Sequence, residues 1–143
     1  MAVDAGAVRT LTRAAYAPWV PVIGREPLPM KADYERAVSE HRIDLLYRGE
    51  TLAALIELVP APDHLLVLNV AVAPEFQGRG LGSHLMRHAE AVAKELGLPE
   101  LRLFTNKAFA PNIALYQRLG YGIDREEPFM EGLTVYMSKR VGN

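Results

Sequence analysis

Leu65-Leu66-Val67-Leu68-Asn69-Val70-Ala71-Val72-Ala73-Pro74-Glu75-Phe76-Gln77-Gly78-Arg79-Gly80-Leu81-Gly82-Ser83 decides the fold. The run from Leu65 to Val72 is apolar at almost every position, which predicts a strand buried on both faces. Gln77 to Ser83 is a glycine-rich turn. From about Gly80 to Leu96 the apolar residues Leu81, Leu85, Ala89, Val92 and Leu96 recur at helical spacing. A strand, a glycine turn and a helix start in that order make an anion site. The first helical turn has backbone N–H groups without intrahelical partners, and the helix dipole adds positive charge there. Gly78, Gly80 and Gly82 remove the Cβ atoms that would hold a ligand away from the backbone.

Outward from this unit, Val8, Leu11, Thr12 and Ala15 lie on one helical face that ends near Ala17-Pro18. Pro18, Pro21, Pro27 and Pro29 predict an extended loop from Trp19 to Pro29. Ala32 to Glu40 reads as a short helix. Ile43–Tyr47 and Thr51–Val59 form a hairpin around Arg48-Gly49-Glu50, and Pro60 to Asp63 ends it. Gly97 closes the main helix, with Arg87, Glu90, Lys94 and Glu95 on its wet face and Glu90–Lys94 as an i,i+4 pair. Leu101–Phe104 is a short strand, Asn112–Leu119 a helix ended by Gly120, and Tyr121–Asp124 with Leu133–Ser138 a closing strand pair. The β-α-β unit gives parallel neighbours and the hairpins antiparallel ones. The expected class is therefore α/β with a mixed sheet, in a single domain over residues 1–143.

Composition narrows the function. The chain has 143 residues, 50% hydrophobic and 23% charged, with a net charge of −1 and no cysteine. No broad basic field exists for nucleic acid or an anionic membrane. Without cysteine, disulfides, a thiolate nucleophile and cysteine-held zinc are excluded, and no metal is expected. The start, Met1-Ala2-Val3-Asp4-Ala5, lacks the basic-then-apolar pattern of a secretory signal, so a cytoplasmic protein is expected. The glycine spacing is neither that of the dinucleotide fingerprint nor that of a Walker loop.

Val70 to Gly82, with Gln77, Gly80 and Gly82 at its centre, resembles the acetyl-CoA signature of the GNAT superfamily of N-acetyltransferases. Asn112-Ile113-Ala114-Leu115-Tyr116-Gln117-Arg118-Leu119-Gly120-Tyr121 resembles a second block of that family. The resemblance implies a sheet that splays beyond the signature strand. Backbone groups at Val70, Ala71 and Val72 would pair with the pantetheine arm. The turn Gln77, Gly78, Arg79, Gly80, Leu81, Gly82, Ser83 would cradle the pyrophosphate, and Asn106 and Asn112 would also contact the cofactor. Asn112 would either bind pantetheine or cap its helix. Tyr116 would protonate the departing thiolate. For the base the family often uses a glutamate on the sheet. Glu57 is the only carboxylate inside the second strand of the hairpin, as an outward-facing or a functional residue. Asn69 would orient water or substrate, and His64 reads as a loop residue.

The resemblance implies an acceptor site against Tyr16, Trp19, the proline loop to Met30, Tyr34 and Phe129-Met130. Glu26, Asp33, Glu126, Glu127 and Glu131 are acids able to attract a cationic amine. The resemblance also places a strand before the first helix, whereas this chain enters a helical pattern almost at once. That strand is thus short or missing, and the exposed edge is expected to be covered by a second copy or by N-terminal residues. The implied function is direct acetyl transfer from acetyl-CoA to an amine of a small molecule or peptide. The rival reading is a CoA-binding regulatory module without transferase activity.

Overall fold

The computed structural model describes residues 4–130 and 132–141. Met1–Val3 and Glu131, named above, lie outside the described residues. In chain order the elements are α1 (Ala5–Tyr16), α2 (Val20–Ile23), α3 (Leu28–Lys31), α4 (Tyr34–Glu40), β1 (Arg42–Arg48), β2 (Thr51–Pro60), β3 (Leu65–Val72), α5 (Leu81–Glu95), β4 (Glu100–Asn106), α6 (Ala110–Arg118), β5 (Gly122–Phe129) and β6 (Gly132–Arg140). The mixed sheet has the order β1-β2-β3-β4-β6-β5. No strand precedes α1 among the described residues, and β1 is an edge strand. No helix of the described residues is long and apolar enough to cross a membrane.

The chain forms two compact units. One comprises residues 1–58 and 69–85, the other residues 59–68 and 86–143. In the first, Asp4 caps α1 by accepting from the Gly6 and Ala7 N–H groups at 2.8 and 3.3 Å. Val8 and Leu11 of α1 then pack with Tyr34 and Ala37 of α4, Ile43, Leu55, Ala71 and Ala73. Asp33 caps α4 by accepting from the Arg36 N–H at 3.2 Å. The β1–β2 register sets Ile43 opposite Glu57 and Leu45 opposite Leu55.

The proline segment is not an extended loop. It contains a 3-10 turn over Ala17–Trp19 and the one-turn helices α2 and α3. Each has a proline in its first two positions, where the missing N–H has no intrahelical partner to lose and the fixed φ already suits a helix. Arg13 ties the segment down through the Met30 carbonyl at 2.8 Å and the Glu26 carboxylate at 2.7 Å. Burial on both faces belongs to β2, where Ala53 to Leu58 are all buried, and not to β3. In β3, Leu65, Val67, Asn69 and Ala71 are buried and their neighbours half-buried. A uniformly apolar run has no periodicity to reveal this alternation.

The second unit is built on parallel pairing of Leu65–Val67 with Leu101–Leu103 and on the antiparallel β4–β6–β5 pairs. Met86, Ala89, Val92 and Ala93 are the residues of α5 buried here. Leu96, expected in that stripe, is 48% exposed. It lies past the helix end, where the Leu98 N–H bonds the Ala93 carbonyl at 2.8 Å beside left-handed Gly97. Glu90 pairs with Lys139 of β6 and not with Lys94. The same Lys139 ammonium donates to the Leu119 carbonyl at 2.7 Å, closing the end of α6. Gly120 there has φ +100°, and a Cβ would fall 3.2 Å from the Lys139 side chain.

Burial, above all, pushes the Tyr34 phenol up to about 12, with the Thr12 hydroxyl opposing and the Glu57 carboxylate adding. An unfolded tyrosine titrates near about 10. The folded state therefore favours the protonated phenol. Its contribution is complete below pH about 10 and is lost as pH rises through about 12. Thermal melts from pH 8 to 12 are expected to show Tm falling above pH 10, and less steeply in Tyr34→Phe.

Candidate active site

Asn69 is the polar residue of β3 and only 3% exposed. Both ends of its amide are engaged. Its Oδ1 accepts from the Tyr16 hydroxyl at 3.1 Å, and its Nδ2 donates to Thr12 Oγ1 at 3.2 Å and to the Tyr34 hydroxyl at 3.4 Å. Tyr16 Oη also lies 3.3 Å from the Val70 carbonyl oxygen. The end of α1 is thus fixed against the strand whose backbone was expected to meet the pantetheine. Tyr34 is fully buried, and its hydroxyl donates to the Pro29 carbonyl at 2.5 Å. It is a core residue, which corrects its placement on the acceptor surface. Tyr16 and Trp19 are half-buried.

Glu57 does not face outward. It is 3% exposed, and its Oε2 lies 2.6 Å from Nδ1 of His41, whose side chain is 26% exposed. A buried carboxylate without a partner is costly, and the imidazole supplies that partner. His41 was missed in the sequence. The hairpin register was the signal that could have found it, because Ile43 opposes Glu57 and His41 lies two residues before Ile43.

At the glycine turn, Gly78 and Gly80 have φ of +78° and +79°, and nothing lies within 4 Å of where their Cβ atoms would be. The left-handed backbone turns the chain into α5, a 15-residue helix whose first bond runs from the His84 N–H to the Gly80 carbonyl at 3.0 Å. Gln77 Nε2 donates to the Val72 carbonyl at 3.0 Å, pinning the turn to the strand end. Arg79 is exposed, with its guanidinium 5.4 Å from the Phe76 ring centroid. Gly82 and Ser83 lie in the first turn of α5, half-buried. This exposed, side-chain-poor cradle with a helix start behind it fits a pyrophosphate.

In the second unit, Tyr116 sits on α6 with its ring centroid 6.0 Å from that of Tyr121. Burial pushes its phenol up to about 12, so Tyr116 carries its proton at neutral pH. Asn112 does not cap α6. Phe109 holds the cap position without a side-chain bond, and Asn112 lies inside the first turn, half-buried. The Asn106 Oδ1 accepts from the Ala108 N–H at 2.9 Å. A cavity of about 690 Å³ is lined by Asn106, Lys107, Pro128, Phe129, Met130 and Leu133, among others. Met130 has φ of +47°, a left-handed conformation unusual for its type.

Of the five acids expected to attract an amine, Glu131 lies outside the described residues and the other four are engaged elsewhere. Glu26 pairs with Arg13, Glu126 with Lys107 at 2.7 Å, and Glu127 with Arg125, while Asp33 is a helix cap. Such exposed pairs contribute little to stability, but they reduce the free negative charge. His64 bonds Asp63 at 2.7 Å, and that bond is the main cause holding the Asp63 carboxyl below the usual range.

Known proteins resemble this chain in sequence and in shape. The streptothricin acetyltransferase of Streptomyces lavendulae is 40% identical over 57 residues, 40% of this chain and 30% of that protein. The match thus spans under a third of that relative's length. The crystal structure of the ribosomal-protein-S18-alanine N-acetyltransferase from Escherichia coli superposes with a TM-score of 0.79 at 20% identity, covering 100% of this chain and 93% of that one. The PaiA N-acetyltransferase of Thermoplasma acidophilum, crystallised in complex with coenzyme A, gives a TM-score of 0.72 at 16% identity, covering 98% and 96%. These structural likenesses bear on the fold. The sequence model described as "Acetyltransferase (GNAT) family" matches residues 8–121, most of the chain, and the chain belongs to that family.

Proposed function

We propose that this chain is an acetyl-CoA-dependent N-acetyltransferase that moves an acetyl group directly to a primary amine of a small molecule or a protein. One observation carries the reading: the exposed turn with left-handed Gly78 and Gly80 that enters α5. The family membership supports it, as does the coenzyme A bound in the Thermoplasma structure. Acetyl-CoA, when bound, supplies an activated acetyl group as its thioester. Backbone N–H groups from Gln77 to Ser83 hold the pyrophosphate, with the Ser83 hydroxyl and Arg79 beside them. The backbone of Val70, Ala71 and Val72, past the short β3–β4 ladder, pairs with the pantetheine, and the Asn106 and Asn112 amides add contacts.

The acceptor nitrogen must lose a proton before it attacks the acetyl carbon. Glu57 takes that proton through His41, since its own carboxylate is buried. The carbon–sulfur bond then breaks, and Tyr116 Oη gives its proton to the sulfur. Without a cysteine the chain forms no cysteine acyl-enzyme. Holding the two reactants in line supplies roughly 7–11 kcal/mol. The acceptor lies against Tyr16 and Trp19. Its class follows the two relatives above, one named for a small molecule and one for an alanine of a ribosomal protein. A second copy pairs along the β1 edge, and the reaction belongs to the cytoplasm. A second reading, a CoA-binding module without transfer, is favoured by the burial of Glu57.

Incubation with acetyl-CoA and a panel of amines (spermidine, an aminoglycoside, an alanine-initiated peptide) separates the two. Release of free thiol with at least one amine is expected, while binding without turnover on any acceptor supports the module. Tyr116→Phe is expected to lower kcat at least tenfold and to leave acetyl-CoA affinity within twofold by calorimetry. Gly80→Val, which forces a branched residue into a left-handed site at about 1–2 kcal/mol, is expected to weaken acetyl-CoA binding at least tenfold with the circular dichroism spectrum retained.

A further inference from the structure

The Tyr16 hydroxyl lies between two acceptors. Asn69 Oδ1 is 3.1 Å away and the Val70 carbonyl oxygen 3.3 Å away. A tyrosine has one O–H proton, so it serves one of them or divides itself between both. The Val70 carbonyl has a direction that matters. The Ala73 N–H bonds the Ala53 carbonyl of β2 at 2.8 Å, and burial alternates without a break from Leu65 to Ala73. Successive residues of a strand turn to opposite sides, so the backbone groups of Val70 and Val72 point away from β2. The β3–β4 ladder ends at Val67–Leu103 and takes up neither carbonyl. Each carries a side-chain donor instead, Gln77 Nε2 on Val72 at 3.0 Å and Tyr16 on Val70.

We propose that the Tyr16 hydroxyl stands in for a pantetheine N–H on the Val70 carbonyl, and that acetyl-CoA displaces it onto Asn69 alone. Tyr16 is then a positioning residue that couples the cofactor to the acceptor side. This inference rests on the reading that pantetheine pairs with the backbone of Val70 to Val72. The displacement costs little, because Asn69 Oδ1 is already in reach and keeps the hydroxyl bonded throughout. Asn69 itself stays where it is, since its Nδ2 remains on Thr12 and Tyr34. What adjusts is the end of α1. Tyr16 is its last residue, and Trp19 closes the 3-10 turn that follows. A shift of the phenol therefore reaches both aromatic residues of the proposed acceptor side. A link of this kind is reciprocal: what the cofactor does for the amine, the amine does for the cofactor.

Calorimetry on the whole chain tests this with two ligands, acetyl-CoA and ADP, which carries the pyrophosphate without the pantetheine. Tyr16→Phe keeps the ring and removes the competing donor. It is expected to bind acetyl-CoA roughly threefold tighter than the wild type, and ADP equally well, because the carbonyl no longer has to be vacated. Its Tm is expected to fall, since the buried Asn69 oxygen loses the hydroxyl. A merely structural role weakens acetyl-CoA binding or changes both ligands alike, and either result overturns the proposal. So does unchanged acetyl-CoA binding, the result if the carbonyl accepts both donors at once. The wild type gives a second test that needs no variant. Coenzyme A is expected to tighten binding of the best amine of the panel about threefold, and ADP to leave it unchanged. Equal amine affinity with and without coenzyme A overturns the proposal. A wild type that binds no acetyl-CoA marks the separate failure of the cofactor reading, and the displacement fails with it.

Discussion

The first unit depends on the demand of one buried amide for partners. Asn69 stands inside an apolar strand, where its oxygen and nitrogen have no water to bond. They are satisfied by Tyr16 and Thr12 of α1 and by Tyr34 of α4. Those bonds fix where both helices lie on the strand face, around Val8, Leu11, Ala37 and Leu55. They also bring the Tyr16 hydroxyl to the Val70 carbonyl. An apolar residue at 69 would remove the amide that Tyr16, Thr12 and Tyr34 share, while the Tyr34 hydroxyl would keep its bond to the Pro29 carbonyl. Stability and the shape of the proposed acceptor side are thus set by the same few bonds.

Charge follows a similar logic. Glu57 is buried because β2 is covered on both faces, and the carboxylate is tolerated because His41 reaches it across the hairpin. The surface acids have settled into local pairs with Arg13, Lys107 and Arg125. The described surface therefore offers few free carboxylates around these groups. Local pairing of this kind leaves little long-range steering, consistent with a net charge of −1.

Much of the fold was legible. The bounds of β3 were read as they stand, and the end of α1, both ends of α4 and α5 and the β1–β2 hairpin within about two residues, since caps, glycines and apolar spacing act locally. The proline segment was misread because proline forbids helix interiors but suits first turns, and one-turn helices leave no periodic trace. Of the candidate site, the glycine turn and the helix that carries Tyr116 were legible through short motifs. Tyr34 was placed on the acceptor surface although it is fully buried, and Glu57 was left as either outward-facing or functional, because a single polar residue in a strand does not disclose which face is covered.

The sequence alone determined the strand–turn–helix order, the glycine turn between strand and helix, and the two blocks that resemble the family. These depend on neighbours a few residues apart, whose geometry the backbone rules nearly dictate. Only the tertiary structure decided that His41 meets Glu57, that Asn69 gathers Tyr16, Thr12 and Tyr34, and that the Tyr121 hydroxyl is buried without a hydrogen-bond partner. Most of those contacts join residues 16 to 57 positions apart. No local pattern specifies such pairs, because they follow from how helices and strands bury their faces together.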